Sequence, residues 1–113
     1  MKGKHTSTKT GKVSEFKSSY ELKYMIDLDQ NPLVSNWEYE PCYVPYIDGT
    51  KVRNYIPDFL IECSDGRKVI VEIKPEGLRD TRVNRTKRDA VQAKCLEEGW
   101  VYHTWEPGEP ILP

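Results

Sequence analysis

Histidine is scarce in this 113-residue chain, which holds two, and phenylalanine is equally rare. His5 and His103 stand near opposite ends, so the sequence offers neither a paired-histidine ligand set nor a Ser-His-Asp constellation. His103 lies in an aromatic segment and reads as structural. Cysteine occurs three times, at positions 42, 63 and 95, with wide spacing and no CxxC pair. That pattern argues against a disulfide framework and a structural zinc, and for small buried apolar residues in a reducing compartment. A Gly-rich phosphate loop, an apolar run of membrane length and a signal peptide are also absent. A soluble, intracellular protein with no membrane partner is the expectation.

Net charge is small as well, at -1, which argues against a generic nucleic-acid glove. The distribution says more than the sum. Lys2, Lys4, Lys9, Lys12 and Lys17 accompany only Glu15, and Arg79, Arg82, Arg85, Lys87, Arg88 and Lys94 accompany Asp80 and Asp89. The acids gather between these segments, where a cation site would need them. Each basic run can equally be a solvated tail or helix face.

Within the acidic stretch, Pro57-Asp58 is followed by Glu72-Ile73-Lys74. Two carboxylates can hold a hard divalent cation through oxygen, and a lysine two residues further along a strand shares a face with the second. The flanking runs, Phe59 to Cys63 and Lys68 to Ile73, predict a β-hairpin around Ser64-Asp65-Gly66. A two-residue loop would place Asp58 and Glu72 on opposite faces. A three-residue loop, with Gly66 left-handed in a G1 bulge, pairs Cys63 with Arg67 and Asp58 with Glu72. It also gathers Phe59, Ile61, Cys63, Val69, Val71 and Ile73 on one apolar face, and Asp58, Glu62, Lys68, Glu72 and Lys74 on the other. Hydrophobic pattern and chemistry therefore select the same register.

A helix is predicted over Ser18 to Asp29, with Leu22, Met25 and Ile26 inward and Asn31-Pro32 beyond its end. Glu21 in its first turn either closes a capping box with Ser18 or supplies a third acid to the site. Trp37 to Tyr46 reads as an edge or bulged strand, interrupted by Pro41 and Pro45. Ile47 to Thr50 turns the chain into a strand starting near Val52. A loop from Glu76 to about Val83 leads to a helix from about Asn84 to Glu98, ended by Gly99, with Ala90, Val91 and Cys95 inward. Trp100 to Trp105 is a last strand. Residues 1–14 form an expected flexible basic arm, 15–106 a single domain, and 107–113 a Pro-rich tail.

Four blocks in order carry a family resemblance. Phe16 to Glu21, Trp37 to Pro41, Tyr55 to Leu60 and Asp65-Gly66 with Val71 to Pro75 resemble the PD-(D/E)XK nuclease superfamily. Within it the likeness is to the catalytic domain of TnsA-type endonucleases and to small phage nucleases, both junction-resolving and head-completion. The resemblance implies an α/β (α+β) fold with a restriction-endonuclease-like αβββαβ core, a central mixed sheet flanked by helices. It implies a metal-dependent endonuclease acting on DNA, with Mg²⁺ or a substituting Mn²⁺ as cofactor. Glu21, Asp58, Glu72 and Lys74 would be the catalytic set; Asp58, Glu72 and the Ile73 backbone carbonyl would bind metal, with Glu21 a further candidate. Arg82, Arg85, Lys87, Arg88, Gln92 and Lys94 are the candidate DNA contacts. A second copy, a transposase or recombination protein, or a virion-assembly protein would be the partner, in the cytoplasm of a bacterium or phage-infected host or on the virion. The alternatives are a phage head-completion nuclease acting on packaged DNA ends and a non-catalytic assembly adaptor with a nuclease fold.

Overall fold

The computed structural model describes residues 1–74 and 81–113. After a hairpin of β1 (Gly3–Thr6) and β2 (Val13–Phe16) come α1 (Ser19–Gln30) and β3 (Val34–Tyr39). A second hairpin follows, β4 (Val44–Asp48) with β5 (Lys51–Tyr55). Then come β6 (Phe59–Cys63), β7 (Lys68–Ile73), α2 (Arg82–Glu98) and β8 (Val101–Trp105). Without the two small hairpins, the order is the expected αβββαβ. The main sheet runs β3-β6-β7-β8, antiparallel except for β7 and β8, which are parallel. A parallel pair needs a crossover, and α2 supplies it.

The central hairpin has the predicted register. Phe59 pairs with Val71 and Glu62 with Lys68. The Cys63 N–H donates to the Arg67 carbonyl at 2.8 Å, and the Gly66 N–H to the Cys63 carbonyl at 2.9 Å. Gly66 has φ +92, a conformation that side chains other than glycine resist. Alternation then divides the sheet's two faces. Phe59, Ile61, Cys63, Val69 and Val71 are buried against Tyr24, Met25 and Leu28 of α1, with Trp37 and Trp105 alongside. Ile70 is buried on the other face with Val44, Val91 and Cys95, and Leu60 packs beside them. Each large apolar side chain removed from water in these two layers contributes about 2 kcal/mol.

Helix α1 starts where its sequence says it should. Ser18 accepts from the Glu21 N–H at 3.1 Å, and Glu21 Oε1 accepts from the Lys17 N–H at 2.6 Å. Ser18 thus caps the helix as expected, while Glu21 reaches back to the Lys17 N–H, one residue before the cap, and not to the Ser18 N–H of a strict capping box. The inward stripe is rotated from the expected one: Tyr24, Met25 and Leu28 are buried, while Ile26 is 39% exposed. The aromatic rings of Phe59, Tyr24 and Trp105 draw the helix onto that face, Tyr24 lying 5.1 and 4.9 Å from the other two.

Three expectations need correction. Residues 1–14 are no free arm. His5, Ser7 and the Thr8 N–H all bond Asp29, which also accepts from Trp37. Lys9 Nζ donates to the carbonyls of Leu28, Asn31 and Val34, closing the end of α1 that lacks intrahelical partners. Trp37 to Tyr46 is not one strand, because the chain turns at Glu40, whose φ is +49, and resumes as β4 in a separate sheet. The Pro-rich tail packs as well: Ile111 and Leu112 lie against the α1-side core, and Tyr24 donates to the Ile111 carbonyl at 2.9 Å. Most of the expected loop from Glu76 to Val83 lies outside the described residues, although Arg82 and Val83 are already helical.

Candidate active site

Asp58 immediately precedes β6, behind a fully buried Pro57, and Glu72 lies next to the end of β7. The hairpin register continues to place them opposite one another. The Ile73 N–H donates to Asp58 Oδ2 at 2.8 Å, which fixes one carboxylate to the backbone beside the other. Tyr102 donates to Glu72 Oε2 at 3.4 Å, and Tyr55 lies against the same carboxylate. Glu72 Oε1 is buried with no hydrogen-bond partner among the described residues.

An unpartnered buried oxygen is costly unless something else meets it. Burial, then repulsion by Asp58, pushes Glu72 up to about 7. Burial also pushes Asp58 up to about 6, and the charges of Glu21 and Glu40 raise it further against the Ile73 N–H and Lys17. Lys74 opposes the rise at Glu72 through its charge, and its N–H is held by the Trp105 carbonyl at 2.8 Å. The result is an all-oxygen, electron-rich site whose donors are desolvated and mutually repelling. Such donors fit a hard divalent cation, which would relieve both the repulsion and the orphaned oxygen.

Glu21 reaches this neighbourhood electrostatically, while its Oε1 serves the cap and accepts from Tyr39 at 3.0 Å. Burial and that bond raise the Tyr39 hydroxyl well above its usual range. No cluster of three or more His, Cys, Asp or Glu donors suited to a metal occurs among the described residues. The structure thus groups Asp58, Glu72 and Lys74, with Glu21 nearby as a neighbouring charge.

The sheet-facing side of α2 changes character along its length. Val91 and Cys95 are buried, but one and two turns toward the N-terminus the helix presents Lys87 and Arg88. Lys87 Nζ lies 5.4 Å from the Tyr55 ring centroid and 5.8 Å from that of Tyr46. Arg88 is close enough to lower the Tyr102 hydroxyl, although burial leaves that group raised. Lys94 points elsewhere, paired with Glu98 at 2.9 Å and 6.0 Å from the Trp100 ring centroid. Arg82, Arg85 and Gln92 are exposed.

Sequence reasoning missed Tyr55, Tyr102, Lys17 and Glu40 as neighbours of the pair. Tyr55 and Lys17 belong to blocks that carry the family resemblance. Tyr102 could be found only from the parallel register, in which Ile70 pairs with Tyr102 and Glu72 with Thr104. Glu40 enters through its N–H bond to the Asp58 carbonyl at 2.8 Å and its ion pair with Lys17 at 3.1 Å.

A mixed sheet between two helices, with two desolvated carboxylates and a lysine at the end of its central hairpin, defines a nuclease-type domain. Residues 31–105 match the TnsA-like endonuclease N-terminal family, and because that match covers more than half of the chain, the chain belongs to this family. It is also 32% identical, over 63 residues, to the head completion nuclease of Enterobacteria phage T4. That alignment takes in 54% of this chain and 42% of the phage protein, so the chain spans less than half of that relative's length. The resemblance carried by the four sequence blocks is borne out.

Proposed function

We propose that this chain is a divalent-metal-dependent endonuclease that hydrolyses phosphodiester bonds in DNA. The observation that carries the reading is the Asp58–Glu72 pair, two buried and repelling carboxylates with one oxygen unpartnered. Asp58 and Glu72, with the Ile73 carbonyl, hold Mg²⁺ or Mn²⁺. When bound, such a cation supplies Lewis acidity to the phosphate and acidifies a water. Lys74 orients the attacking water or the scissile phosphate. Tyr55 and Tyr102 hold Glu72, Tyr102 through Oε2, while Oε1 has no hydrogen-bond partner among the described residues. Glu21 remains primarily a cap whose charge adds to the negative field at Asp58.

The test is a cleavage assay on linear, supercoiled, branched and single-stranded DNA with Mg²⁺, Mn²⁺ or EDTA. Metal-dependent cutting that Glu72→Gln abolishes supports the reading, whereas cutting that survives in EDTA or in that variant refutes it. The likeness to the head completion nuclease favours a second reading, in which the same chemistry acts on packaged DNA ends during virion assembly. Preference for linear ends over supercoiled circles would support it. Cutting both strands of a duplex would require a second copy of the chain or a partner protein.

A further inference from the structure

A cleft of about 360 Å³ lies between the β1–β2 hairpin and Glu40, whose N–H donates to the Asp58 carbonyl. Its charged groups are Lys2, Lys4 and Lys17 with Glu15 and Glu40, and Gly3 and Phe16 complete its lining. That lining is tightly built: a Cβ added to Gly3 would come within 2.6 Å of Phe16 Cζ. Lys2 and Lys4 line the cleft together with Glu15, and Gly3 pairs with Phe16 while Lys4 pairs with Glu15. The lysines are therefore mounted on an ordered hairpin, pinned through His5, Ser7 and Lys9 to the end of α1.

The cleft adjoins the chemistry through Lys17. Its amine is paired with Glu40, and its charge is felt at Asp58. Glu40 is thereby occupied, whereas Lys2 and Lys4 have no ion pair among the described residues. Lys87 and Arg88 of α2 lie near Tyr55 and Tyr102, the two tyrosines that contact Glu72. Positive groups thus stand near both carboxylates, Lys17 at Asp58 and the α2 pair near the tyrosines of Glu72, a layout suited to a polyanion passing them.

Building on the nuclease reading, we propose that this cleft holds the sugar-phosphate backbone of the DNA strand to one side of the scissile bond. Lys2 and Lys4 make the phosphate contacts, while Lys17 and Glu40 form the wall between cleft and catalytic pair. These contacts fix register along the strand and carry no base preference.

The experiment compares the full chain with Lys2→Ser/Lys4→Ser, with Lys2→Arg/Lys4→Arg, and with Lys68→Ser at the far end of β7 from Glu72. Binding of labelled single-stranded and duplex oligonucleotides is measured in EDTA across a salt series, and cleavage kinetics in Mg²⁺. Loss of two phosphate contacts should reduce the salt slope by roughly 1.4 to 1.8, depending on strandedness. KM should rise about tenfold with kcat unchanged. The arginine pair should restore both, and Lys68→Ser should change neither. Melting curves should coincide, because the replaced lysines are exposed. An unchanged slope and KM in the serine pair would overturn the cleft while leaving the nuclease reading intact. Binding without any cutting would overturn the nuclease reading, and the slopes would still judge the cleft. Absence of binding by the unmodified chain would overturn the cleft outright.

Discussion

Two kinds of carboxylate stand near the two ends of α1. At its end, Asp29 accepts from His5, Ser7, Trp37 and the Thr8 N–H, so both its oxygens are satisfied. Burial alone would raise it, but these bonds hold it below the usual carboxylate range. At its start, the charge of Glu21 is felt at Asp58, which with Glu72 forms a raised and only partly satisfied pair. Full satisfaction marks a group that holds the fold together, and withheld satisfaction marks one reserved for a ligand. Ser7, His5 and Asp29 illustrate the risk of counting residue types alone. They resemble a nucleophile triad in composition, yet Ser7 and His5 both bond the aspartate, so no base addresses the hydroxyl.

The largest expected effect lies at the unsatisfied end. Glu72→Gln, Asp58→Asn and Lys74→Ala should each reduce metal-dependent cleavage by about a hundredfold or more, equivalent to a few kcal/mol of transition-state stabilisation. Melting temperature should hold steady or rise in the two carboxylate variants, since each removes repulsion. Near-normal turnover would dissolve the contrast with Asp29.

The satisfied end should respond in the opposite way. Asp29→Ala strands four donors, at a cost of about 2 to 4 kcal/mol by urea unfolding, with activity retained in the folded fraction at low temperature. A variant as stable as the parent would show that the hairpin does not depend on this network.

Acid and base should also separate the two ends. With folded values of about 6 and 7, above the ordinary carboxylate range, Asp58 and Glu72 bind more protons folded than unfolded between about pH 4 and 7. Metal-free stability should therefore fall as pH rises through that window, by several kcal/mol. Asp29, lowered on folding, contributes stability above the ordinary carboxylate pKa that disappears as pH falls through its folded value. Urea melts in EDTA should peak on the acid side of neutrality, and added Mg²⁺ should stabilise more at pH 8 than at pH 5. A metal-free curve still climbing through pH 7 would contradict the raised values.

The smallest effect is expected at Tyr102→Phe, which removes one donor from Glu72. Supporting groups of this kind change metal affinity by about tenfold, measurable by calorimetry with Mn²⁺, with little change in melting temperature. An unaltered affinity would leave Tyr55 as the group that orients the carboxylate.

Legibility followed the range of the interactions. Gly66, the alternating residues around it and the Ser18–Glu21 cap act within a few residues, so their geometry could be read from the chain directly. The β1–β2 hairpin could not, because its polar lysine-rich sequence looks solvated until Lys9 and Ser7 meet α1 some twenty residues away. Aromatic and β-branched residues on both sides of Pro41 suggested one continuous strand, although Glu40 turns the chain there. Tyr102 joins Glu72 only through a parallel pairing that depends on where α2 returns the chain.

The short loop at Ser64–Gly66 also imposes an order in time. Closing three residues is entropically easy, and hairpins of this size form within microseconds, whereas β8 must wait for α2 to cross over. Asp58 and Glu72 consequently meet while water still surrounds them, where two like charges a few ångströms apart repel by only about 1 kcal/mol. The full repulsion develops later, when Tyr55 and Tyr102 close on Glu72 and burial removes that water. Assembly thus precedes tension: the hairpin brings the charges together, and the last elements to arrive make them repel.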